Sequence, residues 1–206
     1  MKRKLWNVLL LLSAAGAVQA AGFVEDFSGA DLAPQSWMQT IVERCKGASY
    51  KKPLNGRLEL SGVVDDQRGG NASLERDACY TTGDFHWTVT FEADCQAGTS
   101  GCYEWRMMSD NGETQLGAAM RKNAQGKWTV SGICGHTCKV LSSKDAALQK
   151  KSGKLEIIRR KTDYQLLLNG QVIYTASGDT AALASIRLTM HGGAGLTVKA
   201  MSLKKL

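Results

Sequence analysis

Proline is nearly missing from this chain, with two in 206 residues. That excludes a collagen-like repeat and a proline-rich linker or ligand segment. Histidine is scarce as well: His86, His136 and His191 stand far apart, so no histidine tract gathers a metal. No Gly-x-Ser-x-Gly turn is present, which removes the usual setting of a serine nucleophile. A Ser/His/Asp triad assembled in space has no support in the sequence. Linkers, low-complexity stretches and internal repeats are lacking. Beyond residue 18 no apolar run approaches the roughly 20 residues that a membrane helix needs. Basic residues do not gather either: Lys150-Lys151, Arg159-Arg160-Lys161 and Lys204-Lys205 are scattered. A nucleic-acid partner would require a basic stripe, so none is expected.

The first residues supply what the rest lacks. Lys2-Arg3-Lys4 is a positive cap, and an apolar run from Leu5 through Leu12 passes into small residues up to Val18. Val18-Gln19-Ala20 is a small-x-small pattern before Ala21. These are the three parts of a secretory leader, so residues 1–20 are expected to be removed and 21–206 to form one domain, secreted or periplasmic. The leader takes three of the 26 basic residues and none of the 19 acidic ones, so a formal charge of +7 becomes +4. That excess is mild and tolerates an acidic ligand.

All six cysteines fall in the mature part: Cys45, Cys79, Cys95, Cys102, Cys134 and Cys138. An even number in an exported chain is read as a disulfide framework. Closeness suggests Cys95 with Cys102, around a flexible loop, and Cys134 with Cys138, around Gly-His-Thr; Cys45 is then left for Cys79. The rival readings are zinc on Cys134, His136 and Cys138, whose spacing is not a usual ligand spacing, and a redox pair with one residue too many between its cysteines.

The 22 glycines punctuate short strand-like runs. Phe85, Trp87, Val89 and Phe91 alternate with His86, Thr88, Thr90 and Glu92, the period-two signature of a strand with one buried face. Tyr103–Met107, Lys127–Val130, Leu155–Ile157, Ile186–His191 and Leu196–Lys199 repeat it. Asn169-Gly170 between two apolar runs predicts a two-residue hairpin turn. Further turns are expected at Asp110-Asn111-Gly112, Asn123–Gly126 and Asn55-Gly56. A short helix is expected only over pieces such as Lys144–Lys150. The pattern predicts an all-β fold, a sandwich or barrel.

Three features resemble the concanavalin A-like lectin/glucanase superfamily, laminin-G-like domains included. They are Val24-Glu25-Asp26-Phe27-Ser28-Gly29 followed by Trp37, the strand Gly56-Arg57-Leu58-Glu59-Leu60, and Lys154–Arg160 leading into Leu168-Asn169-Gly170-Gln171-Val172-Ile173-Tyr174. The resemblance implies a two-sheet antiparallel jelly-roll sandwich whose concave face often holds sugars. It does not imply a reaction. The retaining glucanases of this fold carry Glu-x-Asp-x-(x)-Glu on one strand, because alternate residues share a face and two carboxylates can flank a glycosidic bond about 5 Å apart. This chain has Glu92-Ala93-Asp94, but Gln96 and Ala97 stand where the third acid belongs. No catalytic residue is therefore assigned. Asp65-Asp66 could hold the structural Ca²⁺ that some relatives bind, but no further acids lie nearby in sequence and a polar turn is the simpler reading. No cofactor or metal is implied.

The outward positions of the remaining strands are more informative. If Tyr103, Trp105 and Met107 face the core, Glu104 and Arg106 face outward; Ala118 and Met120 leave Arg121 outward, and Ile186, Leu188 and Met190 leave Arg187, Thr189 and His191 outward. On one shared sheet, Glu104, Arg106, Arg121 and Arg187 would line a groove for an anionic or hydroxyl-rich ligand; the alternative is a solvated face with cross-strand ion pairs. Trp87, Trp105 and Trp128 occupy core-like positions, and Trp37 is a stacking platform or an edge closure. The leading reading is an exported, non-catalytic glycan- or surface-polymer-binding domain. A carbohydrate-active enzyme and a cell-envelope interaction or inhibitor protein are the alternatives. Expression in an exporting host should give a mature protein beginning at Ala21; intact mass settles this, and a retained leader would overturn the export assignment.

Overall fold

The computed structural model describes residues 22–29, 32, 36–41, 49–51, 56–61, 72–178 and 181–206. Residues 1–20, expected to be a leader, and Cys45, Asn55 and Asp65-Asp66 lie outside them. The first strands are β1 (Phe23–Glu25), β2 (Trp37–Ile41), β3 (Ser49–Lys51) and β4 (Leu58–Ser61). The longer ones follow: β5 (Ala72–Thr81), β6 (Phe85–Ala93), β7 (Gly101–Ser109), β8 (Thr114–Lys122) and β9 (Trp128–Cys134). Then come β10 (Lys139–Ser143), β11 (Ala146–Ala147), β12 (Ser152–Arg160), β13 (Asp163–Leu168), β14 (Gln171–Ser177), β15 (Leu183–Gly192) and β16 (Gly195–Lys205).

These strands form two antiparallel sheets. One has nine strands, in the order β10-β14-β13-β12-β6-β16-β4-β3, with β1 also on β16; the other has seven, in the order β11-β9-β8-β7-β15-β5-β2. The molecule is an all-β sandwich of jelly-roll type. Sequence neighbours pair locally in β7–β8–β9 and β12–β13–β14, whereas β6 sits between β12 and β16, and β15 between β5 and β7.

The alternation read from the sequence sets which face is buried. Along β6 every second residue from Phe85 to Ala93 is buried and the residues between are only partly covered. Trp87 of β6 and Trp105 of β7 meet across the sandwich, ring centroids 5.4 Å apart and tilted by 51°. Tyr103 and Trp128 make a second aromatic contact at 6.1 Å. The turn at Asn169-Gly170 has positive φ at both residues, 53° and 81°, as the two-residue hairpin requires. The helix expected over Lys144–Lys150 is absent: Ala146 and Ala147 pair with Val130 and Thr129 as β11, and the Leu148 N–H donates to the Trp128 carbonyl. A segment this short is a marginal helix in isolation, and the open edge of β9 offers its backbone better partners. No helix occurs among the described residues.

Arg159 is fully buried at the rim of the core. It stacks on the Phe85 ring at 4.6 Å and donates to the carbonyls of Gly83 and Ala181, so one charged side chain ties two loops to β12. The outer face of the nine-stranded sheet is balanced by pairs: Glu156 lies between His86 and Lys154, and Glu92 between Lys151 and Lys199, 2.8 Å from each. Hydrogen bonds from Lys151 and Lys199 hold the Glu92 carboxyl down to about 2, against an ordinary 4.5.

Trp105→Ala should cost about 3–5 kcal/mol of stability, the range for truncating a buried aromatic, seen as a lower midpoint in urea; a loss below 1 kcal/mol would deny the inter-sheet contact its weight. Glu92 contributes stability that is fully present above 4.5 and fades as pH falls through about 2, because its folded value is depressed. Thermal midpoints of wild type and Glu92→Gln should therefore differ near neutral pH and meet as the pH approaches 2, by a modest amount because the pair is exposed and screened.

Candidate functional site

Burial of Trp105 forces its chain neighbours to the other side of the seven-stranded sheet, since side chains alternate across a strand. Glu104 and Arg106 accordingly face outward on β7. Strand pairing brings the other expected residues to them. Arg187 on β15 is the direct partner of Arg106, Arg121 on β8 is opposite Cys102, and Thr189 is opposite Glu104. All four sequence-predicted groove residues thus share one face of one sheet. Its floor is low: Gly117 stands beside Arg106 and Ala119 beside Glu104, and a Cβ at Gly117 would run into the Trp105 carbonyl oxygen.

The charges on this face are linked. Glu104 Oε2 accepts from Arg106 Nε at 3.1 Å and Nη2 at 2.7 Å. Glu104 Oε1 lies 3.9 Å from Arg121 Nη2, and Arg121 Nη1 donates to the Ser131 hydroxyl at 3.0 Å. The remaining arm of Arg106, Nη1, donates to Thr114 Oγ1. One participant was not read from the sequence: Glu75 on β5, the direct partner of Arg187, accepts from Arg187 Nε at 2.9 Å and from the Ser185 hydroxyl. The alternation of Leu74, Arg76 and Ala78 with Ser73, Glu75 and Asp77 could have flagged it, but a basic residue at an inward position masks the pattern. Arg76 does face inward, over the Phe23 ring and onto Glu25. Beside Glu75, a cavity of about 190 Å³ is lined by Ser36, Trp37, Met38, Asp77, Ala184 and Ser185.

Trp37 closes an edge more than it offers a platform. It is buried, packs on Phe27 at 6.3 Å and donates its indole N–H to Glu25. Glu92 is the lysine-clamped carboxylate at the end of β6 in the other sheet; Asp94 follows β6 and lies 3.5 Å from the buried Lys122 ammonium, while its carbonyl accepts the Trp128 indole N–H. The partial acid motif therefore does not lie on the arginine face. Of the histidines, His86 sits on the nine-stranded sheet, His136 is exposed in the β9–β10 turn, and His191 is opposite Cys102 on the arginine face.

The Cys95–Cys102 and Cys134–Cys138 bonds expected from the sequence are not formed in this structure; the Cys79 side chain and Cys45 are outside the described residues. Cys102 looks out beside Glu104, and burial, then the Glu104 charge, pushes its thiol up, which makes it a poor nucleophile. Cys138 donates to the Gln115 carbonyl. Cys134 is hydrogen-bonded with the Tyr174 hydroxyl, and burial first and that contact second push the phenol up. Among the described residues no three His, Cys, Asp or Glu side chains converge as metal ligands, and no helix is long and apolar enough to cross a membrane.

No family model matches the sequence, and no curated protein does. Solved structures do match in fold. A β-glucanase of Bacillus licheniformis is 9% identical with a TM-score of 0.59, the match covering 90% of this chain and 99% of that one. The CBM2 module of the evolved Dit of Lactobacillus casei BL23 phage J-1 is 11% identical with a TM-score of 0.57, over 89% of this chain and 94% of its own. A Bacillus subtilis protein with a galectin-like fold is 10% identical with a TM-score of 0.56, over 91% and 97%. The chain has the two-sheet antiparallel jelly-roll fold that these structures share.

Proposed function

We propose that this protein is an exported, non-catalytic glycan-binding domain whose ligand lies across the outer face of the seven-stranded sheet. The observation that carries this reading is the gathering of Glu104, Arg106, Arg121 and Arg187 from three strands onto a low floor of Gly117 and Ala119. Charged forks at fixed spacing orient hydroxylated or anionic ligands through strong hydrogen bonds. The fold-mates include a carbohydrate-binding module and a glucanase by name, which supports a sugar ligand. Fold likeness alone does not choose between binding and hydrolysis.

The chemistry on β7 favours binding. The positions sharing a face with Glu104 are Cys102, Arg106 and Met108, so the strand offers one carboxylate where the retaining mechanism uses two about 5 Å apart. A second reading pairs Glu104 with Glu75, which stands two strands away and two residues along, roughly 12 Å by sheet geometry. That is beyond the ~6.5–9.5 Å used by inverting glycosidases. Both carboxylates are engaged by arginines, whereas that reaction needs one as a protonated acid. The export leader fits a domain that meets polysaccharide outside the cell.

A glycan array with the exported protein tests the proposal. Saturable binding to one or more polysaccharides is expected, with no cleavage of them. Arg106→Ala with Arg121→Ala should weaken it at least tenfold, as loss of charge-assisted hydrogen bonds predicts, while Lys199→Ala on the opposite sheet leaves it unchanged. No binding to any polymer would overturn the proposal and leave an envelope-interaction role.

A further inference from the structure

Two arginines, Arg106 and Arg187, are direct cross-strand partners on an outward face. Like charges so placed repel, and the structure relieves the repulsion from the outside of the pair only: Glu104 holds Arg106 and Glu75 holds Arg187. The two guanidiniums are not equally engaged. Arg106 uses Nε, Nη1 and Nη2. Arg187 gives only Nε to Glu75, and among the described residues its Nη1 and Nη2 have no protein partner. An arginine held side-on by a carboxylate presents its far end as a planar fork of N–H donors, the geometry that grips a carboxylate or sulfate with two parallel bonds. Glu75 fixes that fork in place, so little side-chain freedom is lost when an anion arrives. Immediately beside it lies the cavity of about 190 Å³ lined by Glu75, Asp77, Ser36 and Ser185, whose carboxylates and hydroxyls accept from sugar hydroxyls.

We propose that Arg187, oriented by Glu75 and backed by Arg106, is an anion fork, and that the ligand is an acidic glycan. Its carboxylate or sulfate sits on Arg187 and the hydroxyls of the same unit reach into the adjacent cavity. This rests on the glycan-binding reading above and narrows it to charged polymers. Neither Glu92 nor Lys151 and Lys199 of the other sheet take part, since those side chains are already bound to one another.

The test compares polygalacturonate, its fully methyl-esterified form, dextran and dextran sulfate by isothermal titration calorimetry on the exported protein. The ester keeps every ring hydroxyl and removes the charge. The proposal expects polygalacturonate or dextran sulfate to bind at least tenfold more tightly than its uncharged counterpart, with affinity falling as salt rises. Arg187→Gln should abolish most of that preference while the thermal midpoint stays near wild type, and Glu75→Gln, which frees the fork from its anchor, should weaken binding less. Which anionic polymer binds identifies carboxylate or sulfate as the group taken. Equal binding of charged and uncharged polymers, or a preference that survives Arg187→Gln, overturns this inference but leaves the glycan-binding reading standing. No binding to any of the four, joined to an empty glycan array, overturns both.

Discussion

The burial of Trp105 against Trp87 is the contact on which the rest of the arrangement depends. Each aromatic side chain removes roughly 150–250 Å² from water, worth about 4–6 kcal/mol at 25 cal/mol per Å². Among the described residues both indole N–H groups are buried without a hydrogen-bond partner, a cost of about 1–3 kcal/mol each. Burial outweighs that cost, so packing and not polar pairing decides which way β7 faces. With Trp105 inward, Glu104 and Arg106 have one side left to occupy, and the side-chain character of the outer face follows.

The two outer faces differ in how they handle charge. On the nine-stranded sheet, carboxylates stand between cations, as Glu92 does between Lys151 and Lys199 and Glu156 between His86 and Lys154. Such pairs add little to stability, and each of these lysines lies 2.8 Å from its carboxylate. On the seven-stranded sheet, arginine faces arginine, three guanidiniums share two carboxylates, and among the described residues the Arg187 fork has no protein partner. On the proposed reading, the ligand relieves this local repulsion and completes the charge balance. The jelly roll supplies the platform for this and does not specify it.

Much of the platform was legible in the chain. The clean alternation of Phe85–Glu92 put the same residues in the core that the structure buries, and Asn169-Gly170 turned where two positive φ angles are tolerated. Outward placement of Glu104, Arg106, Arg121 and Arg187 followed from their apolar neighbours. Lys144–Lys150 misled, because its helical character competed with an open strand edge that only the assembled sheet offers. Glu75 was hidden because inward Arg76 breaks the polar-apolar rhythm of β5, and the reason Arg76 is inward, its pairing with Glu25, lies far away in sequence. The thiols of Cys95, Cys102, Cys134 and Cys138 were expected to pair from their spacing, but in the structure they have other neighbours, Tyr174 and the Gln115 carbonyl among them.

Sequence by itself determined the all-β class and which side of β6, β7 and β15 is apolar, because a period of two is a local property of the chain. Tertiary structure alone decided that β15 lies between β5 and β7, and so that Arg187 meets Arg106 and Glu75, while Glu92 is carried away to the other sheet. Strand order is settled by which apolar faces pack best over the whole sandwich, and that balance is not written in any one segment.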